Sequence, residues 1–221
     1  MPTYTNRILY RVLAIGLVYF MLKVFGGSLG QLLLYPVTLL VTFLHEFGHA
    51  LGSVLTGGGV TGLQINPDGS GYTTTVGGNR AVILMGGYLG SALLGNLLFF
   101  IGARHKHLTD RTLYVLAGAM AFASIVWFES LQSTIFLWVF AASLYFIASR
   151  TDWDQDVLMF LGFAAVLYII QDFNVGPSSD LAMYEQTVGI FPARIWMYVW
   201  LALAGLLFFF NLKNIFRTRR T

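Results

Sequence analysis

Apolar runs long enough to cross a bilayer recur along almost the whole of this 221-residue chain. The hydrocarbon core of a membrane is about 30 Å thick, and a helix of about 20 apolar residues spans it. In lipid every backbone N–H and C=O must find its partner inside the protein, so unbroken runs of this kind become helices. Residues are 57% hydrophobic and 10% charged, with a mean hydropathy of +0.70, which excludes the soluble class. The expected fold is an all-α polytopic membrane protein of six to seven transmembrane helices, forming one integral membrane domain over residues 1–221.

Seven apolar segments are read at about 8–25, 31–55, 81–103, 113–128, 131–149, 157–170 and 194–212. Arg7 and Arg11 before the first resemble the start of a signal peptide. No small-x-small cleavage site follows, so the segment is expected to remain as a helix. The net charge of +3 comes from basic residues clustered at segment ends. That pattern suits orientation in a membrane and not nucleic-acid binding. The absence of cysteine excludes disulfides, thiolate metal ligands and a cysteine nucleophile.

The second segment carries His45-Glu46-Phe47-Gly48-His49 between almost wholly apolar flanks. Residues four apart share one helix face, so His45 and His49 can direct two imidazoles at one metal ion. Glu46 is then placed to accept a proton from a water at that ion. Ionisable groups are costly inside a membrane and mark functional sites there. Imidazole and carboxylate ligands suit zinc. Pro36, about two turns earlier, is a candidate kink.

Residues 60–76 differ from everything around them. Asn66-Pro67-Asp68-Gly69 is a strong turn signal, flanked by Leu63 and Ile65 on one side and Tyr72-Thr73-Thr74-Thr75-Val76 on the other. A β-hairpin directly after the metal-binding helix is expected, with a solvated loop as the alternative. The third segment is rich in small residues that let helix backbones approach closely. Asn96 is its one amide, and either reaches the site or bonds another helix.

A catalytic zinc usually has three protein ligands. The candidates for the third are Asp180 and Asp172, which flank the loop between the sixth and seventh segments. Alternation of seven crossings places this loop, the hairpin and the end of the second segment on one side. Ser178-Ser179-Asp180 also reads as the cap of a short helix.

HEFGHALGSVLTGG, NPDGSGYTTT, GGYLGSALLGN and GPSSDLAMYEQTVGIFPARIW together resemble the membrane-embedded zinc metalloproteases related to the site-two proteases, and in particular their compact bacterial branch. The resemblance covers most of the chain. It implies peptide-bond hydrolysis within or near the membrane-spanning part of a membrane protein substrate. It also implies Zn²⁺ held by His45, His49 and Asp180, with Glu46 as the base. Asn96, Tyr72, Thr73 and Thr74 are the candidates for binding substrate, the last three through edge pairing of the hairpin. The bilayer and the substrate's transmembrane segment are the partners, and a bacterial cell membrane is the location that follows.

Three other classes compete. A scaffold or chaperone of the same fold would be expected to lack Glu46 or a histidine. A metal transporter would spread acids and histidines through its helices. A zinc hydrolase of a non-peptide membrane substrate shares the motif. On the seven-crossing count, Arg7, Arg11, Arg80 and Arg194 lie on the site's side and nine basic residues lie opposite. The positive-inside rule then turns the site away from the cytoplasm, whereas relatives tend to have it nearer the cytoplasm.

Overall fold

The structure is a computed structural model that describes residues 4–216 except 172, 174 and 178, with side chains from residue 8 onward. Its helices are α1 (Tyr4–Phe25), α2 (Gly27–Leu55), α3 (Arg80–Met85), α4 (Ser91–Arg104), α5 (Thr109–Val126), α6 (Leu131–Arg150), α7 (Asp154–Gln171), α8 (Asp180–Val188) and α9 (Ala193–Phe216). A single π-helical turn, Gly86–Gly90, joins α3 to α4 into one rod. The strands β1 (Gly59–Ile65) and β2 (Gly71–Val76) form the only sheet among the described residues. The fold is thus an all-α membrane protein with one small hairpin after α2, as the apolar runs predict.

Six helices are long and apolar enough to cross a membrane: α1, α2, the α3–α4 rod, α6, α7 and α9. The chain is therefore an integral multi-pass membrane protein. α5 opens on Thr109-Asp110-Arg111 and falls outside this set. It packs along α6 and still links two distant places. Thr109 at its start donates a hydrogen bond to Asp154 at the start of α7. Just past its end, the Trp127 carbonyl accepts from the Leu63 amide of β1 at 2.9 Å.

α4 and α7 form the most extensive helix pair, and glycine is the reason. Gly162 lies directly on the backbone of Phe99, Gly102 on that of Met159, and Gly95 beside Ala165 and Val166. Lipid offers no hydrophobic gain to helix association, so close backbone contact supplies the attraction instead. Asn96 belongs to the same framework. Its side-chain oxygen accepts from Asn211 Nδ2 of α9 at 3.0 Å, its own Nδ2 donates to the Ala92 carbonyl, and Asn211 also reaches the Asn96 carbonyl at 2.7 Å.

The alternation count fails at the first helix. Arg11 of α1 bonds Gln155 at 2.8 Å and Asp156 at 3.4 Å, at the N-terminal end of α7. Lys23, near the other end of α1, lies 5.2 Å over the Tyr168 ring near the C-terminal end of α7. α1 and α7 therefore run parallel, not antiparallel. Arg11 joins the end that holds Arg104 and the 151–156 loop, and leaves the group assigned to the site's side.

The hairpin is antiparallel, with Leu63 opposite Thr73 and Ile65 opposite Gly71, and a register shift between Val60 and Gly62. Its turn is the Asn66-Pro67-Asp68-Gly69 sequence. The Gly69 amide donates to the Asn66 carbonyl at 3.0 Å, and Gly69 has φ +85°. The outer edge of β1 is covered: Leu63 donates to Trp127, and the Ile65 amide donates to Ser133 Oγ at 2.9 Å.

Two alanine substitutions separate glycine used for contact from glycine that is not. A Cβ at Gly162 overlaps the Phe99 amide nitrogen, whereas a Cβ at Gly118 meets nothing within 4 Å. Gly162→Ala is expected to destabilise by about 1–3 kcal/mol. Gly118→Ala, inside α5, is expected to be neutral or slightly stabilising. Thermal unfolding of both variants in one detergent checks this, and equal Tm values would contradict the packing argument.

Candidate metal centre

α2 contributes His45, Glu46 and His49. One turn of helix separates the two imidazoles, whose centroids lie 4.7 Å apart at an interplanar angle of 81°. α8 brings the third group from 135 residues away. Ser179 caps this helix, its Oγ accepting from the Ala182 amide at 3.3 Å, and Asp180 follows as the first helical residue. The cap and the ligand readings of Ser-Ser-Asp are therefore compatible. Asp180 Oδ2 lies 2.8 Å from His45 Nε2 and 3.2 Å from His49 Nε2. The three candidate ligand atoms all lie within 4.8 Å of one another. Burial pushes the Asp180 carboxyl up, but its contacts with His45 and His49 outweigh that and hold it well below the usual carboxylate range.

Neighbouring groups fix each side chain. His49 Nδ1 lies 2.7 Å from the Ile83 carbonyl oxygen. A carbonyl can only accept, so Nδ1 carries the hydrogen and Nε2 keeps its lone pair for the cluster. The Tyr88 ring stands edge-on to His45 at 4.8 Å and 88°, and is itself stacked on Phe173 at 4.5 Å. Glu46 is buried, and Thr73 Oγ1 lies 2.8 Å from its Oε2 and 3.0 Å from its backbone carbonyl. One face of the hairpin is thus held against the carboxylate.

The residues fit a metal ion. Two imidazole nitrogens and one carboxylate oxygen are a three-ligand donor set of the kind found at catalytic metal centres. Space is kept for the ion by what Gly87 lacks. A Cβ there would fall 2.6 Å from both Nε2 atoms. Gly87 holds this position because α2 and the π turn touch: a side chain at Gly48 would overlap the Gly86 carbonyl, and one at Gly86 would overlap the Gly48 carbonyl.

A cavity of about 550 Å³ opens beside this centre. Glu46, the two histidines and Asp180 form its floor, while Gly71, Tyr72, Thr73 and Thr75 form one wall. Arg80 and Met183 also line it, their side chains 3.6 Å apart.

His45, Glu46, His49 and Asp180 are brought together. Tyr72 and Thr73 line the cavity, Thr73 bonded to Glu46 and Tyr72 donating to Glu129 Oε1 at 3.3 Å. Thr74 is outside the lining and turns to the exposed face of the hairpin, and Asn96 is outside it between α4 and α9. Asp172 lies outside the described residues. Three contributors escaped the sequence reading: the Ile83 carbonyl, the Tyr88 ring and the gap at Gly87. Gly86-Gly87 was legible as a packing signal, and the same missing side chains open the centre.

A family model described as Peptidase M50B-like matches residues 11–211. The chain belongs to this family. Peptidase M50B-like proteins are of site-two-protease type, and the family implies a membrane metalloprotease. The matched span includes all four residues gathered at the centre. Neither a search of curated proteins nor a search of solved structures returned a match.

Gly87 offers a test that leaves every ligand in place. Gly87→Ala is expected to lower bound metal at least tenfold (roughly the effect of disturbing a metal's supporting shell). Gly205→Ala, where a Cβ meets nothing within 4 Å, is expected to leave it unchanged. Mass spectrometry of metal content in protein purified without chelators checks both. Full occupancy in Gly87→Ala would show that the gap is not the ion's place.

Proposed function

We propose that the protein is a zinc-dependent endopeptidase that cuts peptide bonds of membrane protein substrates within or near their transmembrane segments. The observation carrying this reading is the convergence of His45, His49 and Asp180 beside Glu46, on a cavity with a β-strand edge as one wall. His45, His49 and Asp180 would hold the zinc, a choice that follows from two nitrogens and one carboxylate oxygen. When bound, zinc supplies a Lewis acid that acidifies water and polarises a carbonyl.

The remaining work falls to the chain's own groups. Glu46 accepts a proton from the attacking water and delivers it to the leaving amine. Thr73 donates to Oε2 of Glu46, which steadies the carboxylate and leaves Oε1 for the water. The Ile83 carbonyl orients the His49 imidazole through Nδ1, and the Tyr88 ring stands against that of His45.

Substrate presentation follows from strand geometry. In an antiparallel pair, backbone groups point alternately toward the partner and away from it. The Leu63 and Ile65 amides point away from β2, toward Trp127 and Ser133. Their partners Thr73 and Gly71, which line the cavity, therefore direct their own N–H and C=O groups away from β1. An unwound substrate segment can pair there, which satisfies backbone groups that cannot remain bare in lipid. Edge pairing reads backbone and so selects extended chain over helix. A lipid ester offers no such ladder, which favours a peptide substrate over the other hydrolase reading.

Incubation of the zinc-loaded protein with transmembrane peptides and with phospholipids, followed by product analysis, tests the activity. Peptide cleavage is expected in wild type. Glu46→Gln should retain zinc and lose about 10²–10⁴ in rate, the range for removing a general base. Thr73→Val should retain zinc and lose about tenfold, the cost of one hydrogen bond to a charged group. Zinc-loaded protein that cleaves no peptide, or cleaves equally well without Glu46, would overturn the proposal.

A further inference from the structure

A second cavity, of about 500 Å³, lies on the lipid-facing flank between α1 and α7, at the end of the molecule that holds Arg11. Its volume falls within the roughly 300–1,000 Å³ of ligand pockets. On α1 it is lined by Arg11, Ala14, Ile15 and Val18, one helical stripe at i, i+3, i+4 and i+7. On α7 the matching stripe is Asp156, Val157, Phe160 and Leu161. Both stripes begin with a charge and continue without one. At a rise of 1.5 Å per residue the apolar parts, Ala14 to Val18 and Val157 to Leu161, run about 6 Å toward the interior of the bilayer. Trp153, 69% exposed, stands at the charged end, where an aromatic ring suits the membrane–water boundary.

The charges at the mouth are matched but not spent. The Arg11 guanidinium is held by Gln155 at 2.8 Å and lies 3.4 Å from Asp156 Oδ1. Gln155 in turn donates to the Gly102 carbonyl at 2.9 Å, so this glutamine, not Asp156, ties α1 to the α4–α7 pair. The Arg11 and Asp156 side chains remain 44% and 55% exposed. Arg11 presents several donors and Asp156 several acceptor positions, and the single long contact between them leaves most of these open.

We propose that this groove is a phospholipid site selective for a headgroup that joins a phosphate to a primary ammonium, as in phosphatidylethanolamine. Arg11 takes the phosphate and Asp156 takes the ammonium, while one acyl chain lies between the two apolar stripes. A trimethylated headgroup cannot donate hydrogen bonds to Asp156. An anionic headgroup without an ammonium brings a second negative charge toward it.

Native mass spectrometry of the delipidated full chain, titrated with phosphatidylethanolamine, phosphatidylcholine and phosphatidylglycerol of identical acyl chains, tests this. Wild type should favour phosphatidylethanolamine by about fivefold, the range of a partly exposed charge pair. Asp156→Asn should abolish that preference and raise phosphatidylglycerol binding. Ile15→Trp, which fills the groove, should weaken all three lipids while keeping their order. If Arg11→Gln folds, it should weaken all three as well. Equal binding of the three headgroups to wild type would reveal only unselective boundary lipid and overturn the proposal. A headgroup preference that survives in folded Asp156→Asn would do the same.

Discussion

The metal centre depends on a place where two helix backbones touch. Gly48 of α2 and Gly86 of the π turn lie so close that neither tolerates a Cβ. Gly48 sits between the two histidines, so this contact sets their distance from everything on the second helix. It brings the Ile83 carbonyl to His49, the Tyr88 ring to His45 and the bare Cα of Gly87 to both Nε2 atoms. A helix of larger residues would stand some ångströms further off, and those supports would miss the imidazoles. The π turn falls at this spot, where an extra residue in the helical ladder re-aims the groups around it.

Much of this architecture was readable from the chain. Unbroken apolar runs can only be helices in lipid, so the all-α class and a range of six to seven spans followed from composition and spacing. The hairpin was readable because Asn66-Pro67-Asp68-Gly69 is turn chemistry set between extended segments. His45, Glu46 and His49 were readable because one helix carries all three at fixed spacing. Asp180 required topology as well, since two acids flank the same loop and its place beside the histidines is seen only in the fold.

What escaped did so for physical reasons. The direction of α1 relative to α7 depends on the route of the chain between crossings, and apolar composition carries no record of it. Arg11 therefore lies with Gln155 and Asp156, where an alternation count does not put it. Asn96 is a polar group in a membrane helix whose two possible uses look alike in sequence. Its partner Asn211 is 115 residues away and becomes visible only in three dimensions. Thr73 was legible as an edge residue of the hairpin. Its bond to Glu46 depends on how that hairpin lies along α2.

The Asn96–Asn211 pair also bears on the metal centre from a distance. From Ile195 to Phe210 α9 carries no charged or amide side chain, so apolar packing alone gives it little preference for one height against its neighbours. The amide pair supplies that preference and works as a depth gauge. At the opposite end of α9, about 27 Å away by helical rise, the Ala193 amide donates to Glu185 of α8 at 2.7 Å. α8 begins with Asp180. The height at which α9 is pinned near one end thus calibrates the stance of the short helix that carries the aspartate at the other.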